Sequence, residues 1–208
     1  MPSYELIYFD VRALAEPIRW IFALAKVPLK DTRIDGKEWA TLKETFPLGQ
    51  LPVLVEDDNT LTQSYAIGRY LCKKFDFVHV DPFMDYLSDQ VSEIVEDCRI
   101  LFRELPWEII GKNDPERIKE LKEKLLATVF PRHLRQLEGI MGKTDGAFIA
   151  GDQITHGDFV LASWTNVWED VVDSNILESY PLLKKQQKAV MELPEIQDIV
   201  RNRPCTFV

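Results

Sequence analysis

Short apolar runs alternate with stretches of helical periodicity over the first 78 residues. The run YELIYF at residues 4–9 has β-forming side chains on both faces, which predicts a buried strand. Residues 13–26 repeat apolar side chains at helical spacing, which predicts a helix. With the turn residues that separate the later runs, the pattern predicts strand 4–9, helix 13–26, strand 29–34, helix 36–45, a hairpin of 52–56 and 60–62, and helix 64–75.

The pattern changes after a linker at residues 76–82, beyond which we find only long helical periodicities. Residues 158–172 are apolar nearly all round, which places that helix in the middle of a bundle. Thr155 and Asp158, just before it, have the spacing of a capping box. The predicted helices are 83–110, 114–141, 155–173, 178–191 and 193–202.

The order β-α-β-α-β-β-α is that of a thioredoxin-like domain. We therefore predict an α/β thioredoxin-like N-terminal domain at residues 1–78 and an all-α helical C-terminal domain at 83–208. The net charge of −9 argues against nucleic acid or an anionic membrane surface as a partner, because both require a basic surface. No apolar run approaches the roughly 18 residues of a transmembrane helix, and the N-terminus lacks a secretory signal.

The cysteines are Cys72, Cys98 and Cys205, an odd number at wide spacing that makes neither a disulfide framework nor a zinc site. We predict free thiols and a cytoplasmic protein. Glu93 and Asp97 belong to an acidic helical cluster that could attract a cation, but flexible surface acids rarely build a site, and we predict no metal.

Candidate chemistry begins at Tyr8, because open α/β sheets bind ligands beyond the carboxyl ends of their strands. Its phenol could donate a hydrogen bond to an anion, although the strand alone favours a β-former that packs the strand end. Trp39 and Lys43 are four residues apart and share a helix face, where they offer an indole N–H and an ammonium. A half-exposed Trp39 covered by the lysine stem is an equally good interpretation.

Two loops add backbone groups to this edge. Pro52 marks the start of a strand, where the Leu51 backbone could pair with an extended peptide. The alternative interpretation is an ordinary loop. Ser64 is a good N-cap, and the free N–H groups of its helix could bind a carboxylate. Each signal is weak alone. Together they fit an extended peptide with two carboxylates and a thiol in its middle.

The segments YELIYFDVRALAEPIR and LKETFPLGQLPVLVEDDNTLTQSYAIGRYL resemble the N-terminal domain of a cytosolic glutathione transferase. The combination of F-P-x-G-Q-L-P-V-L with Q-S-x-A-I-x-R-Y-L is specific, and the chain is most similar to the sigma class and its nematode-type relatives. The similarity covers essentially the whole chain. It implies an enzyme that conjugates the glutathione thiolate to small hydrophobic electrophiles, with glutathione as co-substrate.

The resemblance also implies residue roles. Tyr8 would donate a hydrogen bond to the sulfur, Trp39 and Lys43 would hold the glycyl carboxylate, and Leu51 would pair with the cysteinyl residue across a cis Leu51–Pro52 bond. Gln63 and Ser64 would hold the γ-glutamyl end, and Asp97 would reach it from the partner subunit of a homodimer. The implied glutathione set is Tyr8, Trp39, Lys43, Gly49, Gln50, Leu51, Pro52, Gln63, Ser64 and Asp97.

The chain departs from the common sigma-class triplet R-G-R, because it reads Arg12-Ala13-Leu14. Arg12 is then the supporting cation for Tyr8, and Val11, Ala13 and Leu14 would line the electrophile pocket with the inner faces of helices four and five. A prostaglandin isomerase and a non-catalytic binding or structural protein remain alternatives. A thiol-disulfide oxidoreductase needs a cysteine after the first strand, and residues 8–13 have none.

Overall fold

The computed structural model describes residues 2–203, so the predicted thiol of Cys205 lies outside the described residues. Residues up to Val78 together with those from Met191 onward form one compact unit, and His79–Val190 form a second. Among the described helices, none combines the length and the apolar character needed to span a membrane.

The first unit is built on a mixed sheet in the order β2-β1-β3-β4. Strand β1 (Tyr4–Phe9) pairs in parallel with β2 (Lys30–Ile34) and antiparallel with β3 (Val53–Glu56), which forms a hairpin with β4 (Asn59–Thr62). Alternate side chains of β1 are buried, and the others are half-buried. The central position of β1 explains why its sequence is apolar on both faces.

Helices α1 (Glu16–Leu24), α2 (Gly36–Leu42) and α3 (Ser64–Lys74) complete the predicted order, and the thioredoxin-like prediction is confirmed. The predicted helix at 13–26 opens as a 3₁₀ turn at Ala13–Ala15 before α1 begins, with proline in the first turn of α1 as expected. A second 3₁₀ turn at Lys43–Thr45 extends α2.

The second unit is helical, as predicted. Its helices are α4 (Pro82–Phe102), α5 (Glu104–Ile110), α6 (Pro115–Lys124), α7 (Phe130–Met141), α8 (His156–Val171) and α9 (Pro181–Met191). Helix α8 packs along α4, and Trp164 and Trp168 on it are buried core residues. The predicted capping box of Thr155 and Asp158 is present.

One predicted helix, 114–141, is interrupted by a π-helical turn at Leu125–Val129. Pro131 has no N–H to donate to the preceding turn, so a regular ladder cannot continue through this point. The Nδ1 atom of His133 donates to the Val129 carbonyl at 2.7 Å and satisfies an acceptor beside the interruption. Pro131 therefore accounts for the break in the helix, and His133 compensates for part of it.

Helix α10 (Pro194–Asn202) packs on α1, and this contact assigns it to the first compact unit. Lys26 Nζ lies 3.1 Å from Glu195 Oε1, and Arg203 Nη1 donates to Glu16 Oε1 at 2.7 Å. The domain boundaries 1–78 and 83–208 remain a prediction from sequence, and the compact units differ from them at this C-terminal helix.

Candidate functional site

Tyr8 lies near the carboxyl end of β1, where it pairs across the sheet with Arg33 of β2. Its side chain is only 6% exposed and its ring makes a tilted contact with that of Phe9, 5.7 Å between centroids. The strand ends in a tight turn in which the Val11 amide donates to the Phe9 carbonyl at 2.8 Å. The phenol is therefore held at the strand end that was predicted to carry the site.

The loop after this turn holds Arg12, Ala13 and Leu14. Arg12 is buried, and its carbonyl accepts from the amides of Ala15 and Glu16 at 3.2 and 3.0 Å. Ala13 has φ 34°, in the left-handed region that favours glycine. An alanine there costs on the order of 1 kcal/mol, so the loop is held in this conformation by its surroundings. Val11 and Leu14 are half-buried.

Trp39 is held by aromatic neighbours. Its ring packs edge-on against Phe9 at 5.8 Å and stacks on Phe46 at 5.9 Å. Helix α2, which carries Trp39, starts at a capping box in which Asp35 and Glu38 satisfy each other's backbone amides. The half-buried indole is therefore rigid before any ligand binds, and its contact with Phe9 connects it to the Tyr8 strand.

Lys43 follows one helical turn after Trp39, because its backbone amide donates to the Trp39 carbonyl. The predicted shared face is therefore present, and the Lys43 side chain is exposed. Its stem lies beside Gly49, where an added Cβ would come within 3.5 Å of the Lys43 Cε atom. That distance is an ordinary contact, so it is the positive φ of 54° at Gly49 that favours glycine in this turn.

The Leu51–Pro52 bond is cis, as the resemblance implied. Gln50, just before it, accepts a hydrogen bond from Gln63 Nε2 at 3.2 Å, which joins the loops at the two ends of the β3–β4 hairpin. Two sets of contacts therefore connect predicted site segments of the first unit: Phe9, Trp39 and Phe46 in one, and Gln50 with Gln63 in the other.

The prediction that Ser64 is the N-cap of α3 is wrong. Gln63 occupies the cap position with φ 70°, makes no side-chain cap bond, and leaves Ser64 as the first helical residue. Gln63 directly follows β4 and has a positive φ, a backbone conformation that residues other than glycine rarely adopt. The Ser64 amide is one of the first-turn N–H groups that have no partner within the helix.

Asp97 is an exposed residue of α4 and belongs to the second compact unit, unlike the other predicted residues. Burial, followed by the nearby Asp97 charge, raises the pKa of the adjacent Cys98 thiol, which favours an inert thiol. Glu96 of the same cluster is paired with Arg99 at 2.6 Å. Within residues 2–203, no group of three or more His, Cys, Asp or Glu side chains is placed to hold a metal ion.

Sequence reasoning missed one set of buried charges beside the loop. Glu16 and Arg19 on α1 are 1% and 4% exposed, and they form an ion pair at 3.1 Å. The available signal was their position: both interrupt the otherwise apolar segment Ala15–Phe22. A charged pair at i, i+3 on a buried helix face predicts a specific polar network rather than a solvated surface.

The thioredoxin-like sheet and the helical unit define the architecture of glutathione transferases. Residues 4–73 match the family described as the glutathione S-transferase N-terminal domain, and residues 102–203 match that of the C-terminal domain. The chain is 34% identical to glutathione S-transferase 1 of Ascaris suum, over 99% of both chains. It is 33% identical to hematopoietic prostaglandin D synthase of Mus musculus, again over 99% of each.

A solved structure, the monomeric glutathione S-transferase of the hookworm Necator americanus, is similar with a TM-score of 0.89 and 28% identity. The alignment covers 99% of this chain and 100% of that one. The chain belongs to the glutathione S-transferase family, whose co-substrate is glutathione.

Proposed function

We propose that the protein conjugates glutathione to small hydrophobic electrophiles, with Tyr8 as the hydrogen-bond donor that stabilises the thiolate. The observation that carries the proposal is the placement of a buried Tyr8 at the carboxyl end of β1, directly before the held loop of Arg12 and Ala13. Membership of the glutathione S-transferase family supports the reaction type.

The chemistry follows from the thiol. A free thiol with a pKa of about 8.5 is only a few per cent ionised at neutral pH, and the thiolate is the nucleophile. A phenol that donates a hydrogen bond favours the charged form, and each pKa unit corresponds to about 1.4 kcal/mol. Arg12 adds positive charge in the same loop. Val11, Ala13 and Leu14 form our proposed contact surface for the electrophile.

The peptide would be held along its length. The rigid indole of Trp39 and the exposed ammonium of Lys43 suit the glycyl carboxylate. The loop of Gly49, Gln50, Leu51 and Pro52 presents backbone to the cysteinyl residue, and Gln63 with the first-turn amides of α3 at Ser64 would hold the γ-glutamyl carboxylate.

Tyr8→Phe tests this assignment. We expect kcat with a chloronitrobenzene acceptor to fall by about ten- to a thousand-fold, because one donor to the developing thiolate is lost, while the glutathione Kd stays within about two-fold. Tyr180→Phe is the matched control, since it removes a tyrosine hydroxyl of the second compact unit that has no part in the proposed site. Wild-type turnover in Tyr8→Phe would remove Tyr8 from the mechanism.

A prostaglandin isomerase activity is the second candidate, favoured by the similarity to the mouse prostaglandin D synthase over the full chain. Incubation of the enzyme and glutathione with a prostaglandin endoperoxide tests it, and product formation no faster than without enzyme would reject it. A purely structural or binding role predicts no turnover with either substrate class.

We further propose a homodimer in which Asp97 acts on the partner's glutathione, and a cytoplasmic location. Phe83 and Tyr86 on α4 support a covered surface, because they are more than half exposed yet stacked at 5.9 Å. The similar hookworm enzyme is monomeric, so sedimentation decides the matter. Cys72 and Cys98 are free thiols, the state expected in a reducing compartment, and cell fractionation tests the location.

A further inference from the structure

The buried charges on α1 connect directly to the loop that follows Tyr8. Arg19 Nη1 donates to the Val11 carbonyl at 2.9 Å and to Glu16 Oε2 at 3.1 Å. On its other side, Arg19 Nε donates to both carboxylate oxygens of Asp31 on β2, at 3.2 and 3.1 Å. A planar guanidinium held on two sides has no freedom to turn, so the atom that grips the Val11 carbonyl is fixed in place.

Glu16 is held in turn. Its Oε1 atom accepts from Trp20 Nε1 at 3.2 Å and from Arg203 Nη1 at 2.7 Å. Arg203 follows α10, so a residue 187 positions away in sequence contacts the carboxylate that holds Arg19. The four residues Arg203, Glu16, Arg19 and Val11 form a relay within the first compact unit.

The relay ends where the backbone is strained. Ala13, at φ 34°, is flanked by two fixed points. On one side Arg19 donates to the Val11 carbonyl, and on the other the Ala15 amide donates to the Arg12 carbonyl. Strained backbone persists only where its surroundings over-determine it. Arg19 supplies one such restraint through the Val11 carbonyl, and Arg33 supplies another on the same loop by donating to the Asp10 carboxylate at 2.7 Å.

We propose that Arg19 is a positioning residue for catalysis: through Val11 it holds the loop that follows Tyr8 in its strained, active conformation, and Arg203 supports it through Glu16. The inference rests on the proposed function, because it assigns this loop to thiolate stabilisation. Neither arginine needs to touch glutathione or the electrophile for this role.

Arg19→Lys is the main test, since lysine keeps the charge but its single ammonium cannot reach Asp31, Glu16 and the Val11 carbonyl together. We expect kcat to fall about ten- to a hundred-fold, the size of effect that a misplaced catalytic loop produces, with the glutathione Kd within about two-fold. The apparent pKa in the pH profile of kcat/KM should rise by about one unit.

Ala13→Gly in the Arg19→Lys background is the decisive second variant. Glycine adopts a positive φ without strain, so the loop no longer needs the restraint, and at least half of the logarithmic loss in kcat should return. Arg201→Lys is the control, because it makes the same arginine-to-lysine change at an exposed residue of α10 that donates to Gln197 on its own helix. It should leave kcat and the pH profile unchanged.

Arg203→Gln keeps the test open if Arg19→Lys does not fold, since Arg203 is on the periphery of the network and 13% exposed. It should move kcat and the pH profile in the same direction, by about two- to five-fold in kcat. The proposal for Arg19 would be overturned if folded Arg19→Lys had a wild-type pH profile, or if Ala13→Gly restored none of its lost kcat. In either case a loss of turnover in Tyr8→Phe would leave the proposed function standing. Wild-type turnover in Tyr8→Phe would instead overturn the proposed function.

Discussion

Asp158 provides a sharp test of how a buried carboxylate behaves in this fold. It is fully buried at the start of α8 and accepts from the Ile149 amide, the Thr155 amide, the Thr155 hydroxyl and the Gln186 side chain. Burial raises the pKa of Asp158 to about 6, although these donors oppose the shift. The folded state therefore binds a proton that the unfolded chain, with a pKa of about 3.9, has already released.

The sign of the pH effect follows from this difference. Because the folded state binds more protons between about pH 4 and pH 6, the Asp158 contribution to stability falls as pH rises through that window. With a folded-state pKa of about 6, the contribution is on the order of 1 kcal/mol at pH 5.5 and close to zero at pH 7.5. Asp158→Asn removes it entirely.

Asp158→Asn has a second, pH-independent cost. The asparagine Oδ1 atom can still accept from Ile149, but its NH₂ group then faces the Thr155 amide, leaving a buried N–H unsatisfied at about 1–3 kcal/mol. We expect the variant to be destabilised by that amount at pH 7.5 and by roughly 1 kcal/mol more at pH 5.5.

Urea unfolding followed by circular dichroism, at one fixed protomer concentration, measures both differences. Comparing the two proteins at each pH cancels the other titrating groups. A destabilisation that is equal at pH 7.5 and pH 5.5 would refute the reasoning, because it would mean that the hydrogen bonds offset burial and leave the pKa of Asp158 at or below its ordinary value.

Two further outcomes are expected. Asp97→Ala should raise the glutathione KM of a dimeric enzyme by about three- to ten-fold, because one charge contact to the peptide amine is lost. Glu93→Ala on the same helix is the control and should leave KM unchanged. Equal KM values in the two variants would reject the role of Asp97. Gly157→Ala should cost more than about 3 kcal/mol, because its Cβ would lie 2.4 Å from the Ser88 carbonyl oxygen and 2.8 Å from Ile149 Cδ1, and near-wild-type thermal unfolding would contradict that close packing.

Much of this architecture could be predicted from local patterns. The β-forming run of β1, the capping box at Thr155 and the apolar character of residues 158–172 each depend on side chains close together in sequence. Such signals arise from the backbone geometry and the burial of one element. They can therefore be recognised without knowing which elements pack against it. The cis bond at Leu51–Pro52 and the assignment of the Tyr8 loop came from family resemblance, which carries tertiary information in its motifs.

Other features were decided only by tertiary structure. Ser64 has the ideal chemistry for an N-cap, worth about 1 kcal/mol, yet Gln63 occupies the cap position directly after β4, at φ 70° and without a side-chain cap bond. The association of α10 with α1, and the contact of Arg203 with Glu16, join residues 187 positions apart, and no periodicity records such a pairing. Local sequence determines which elements form. Long-range burial of charge determines which of them hold the site loop in place.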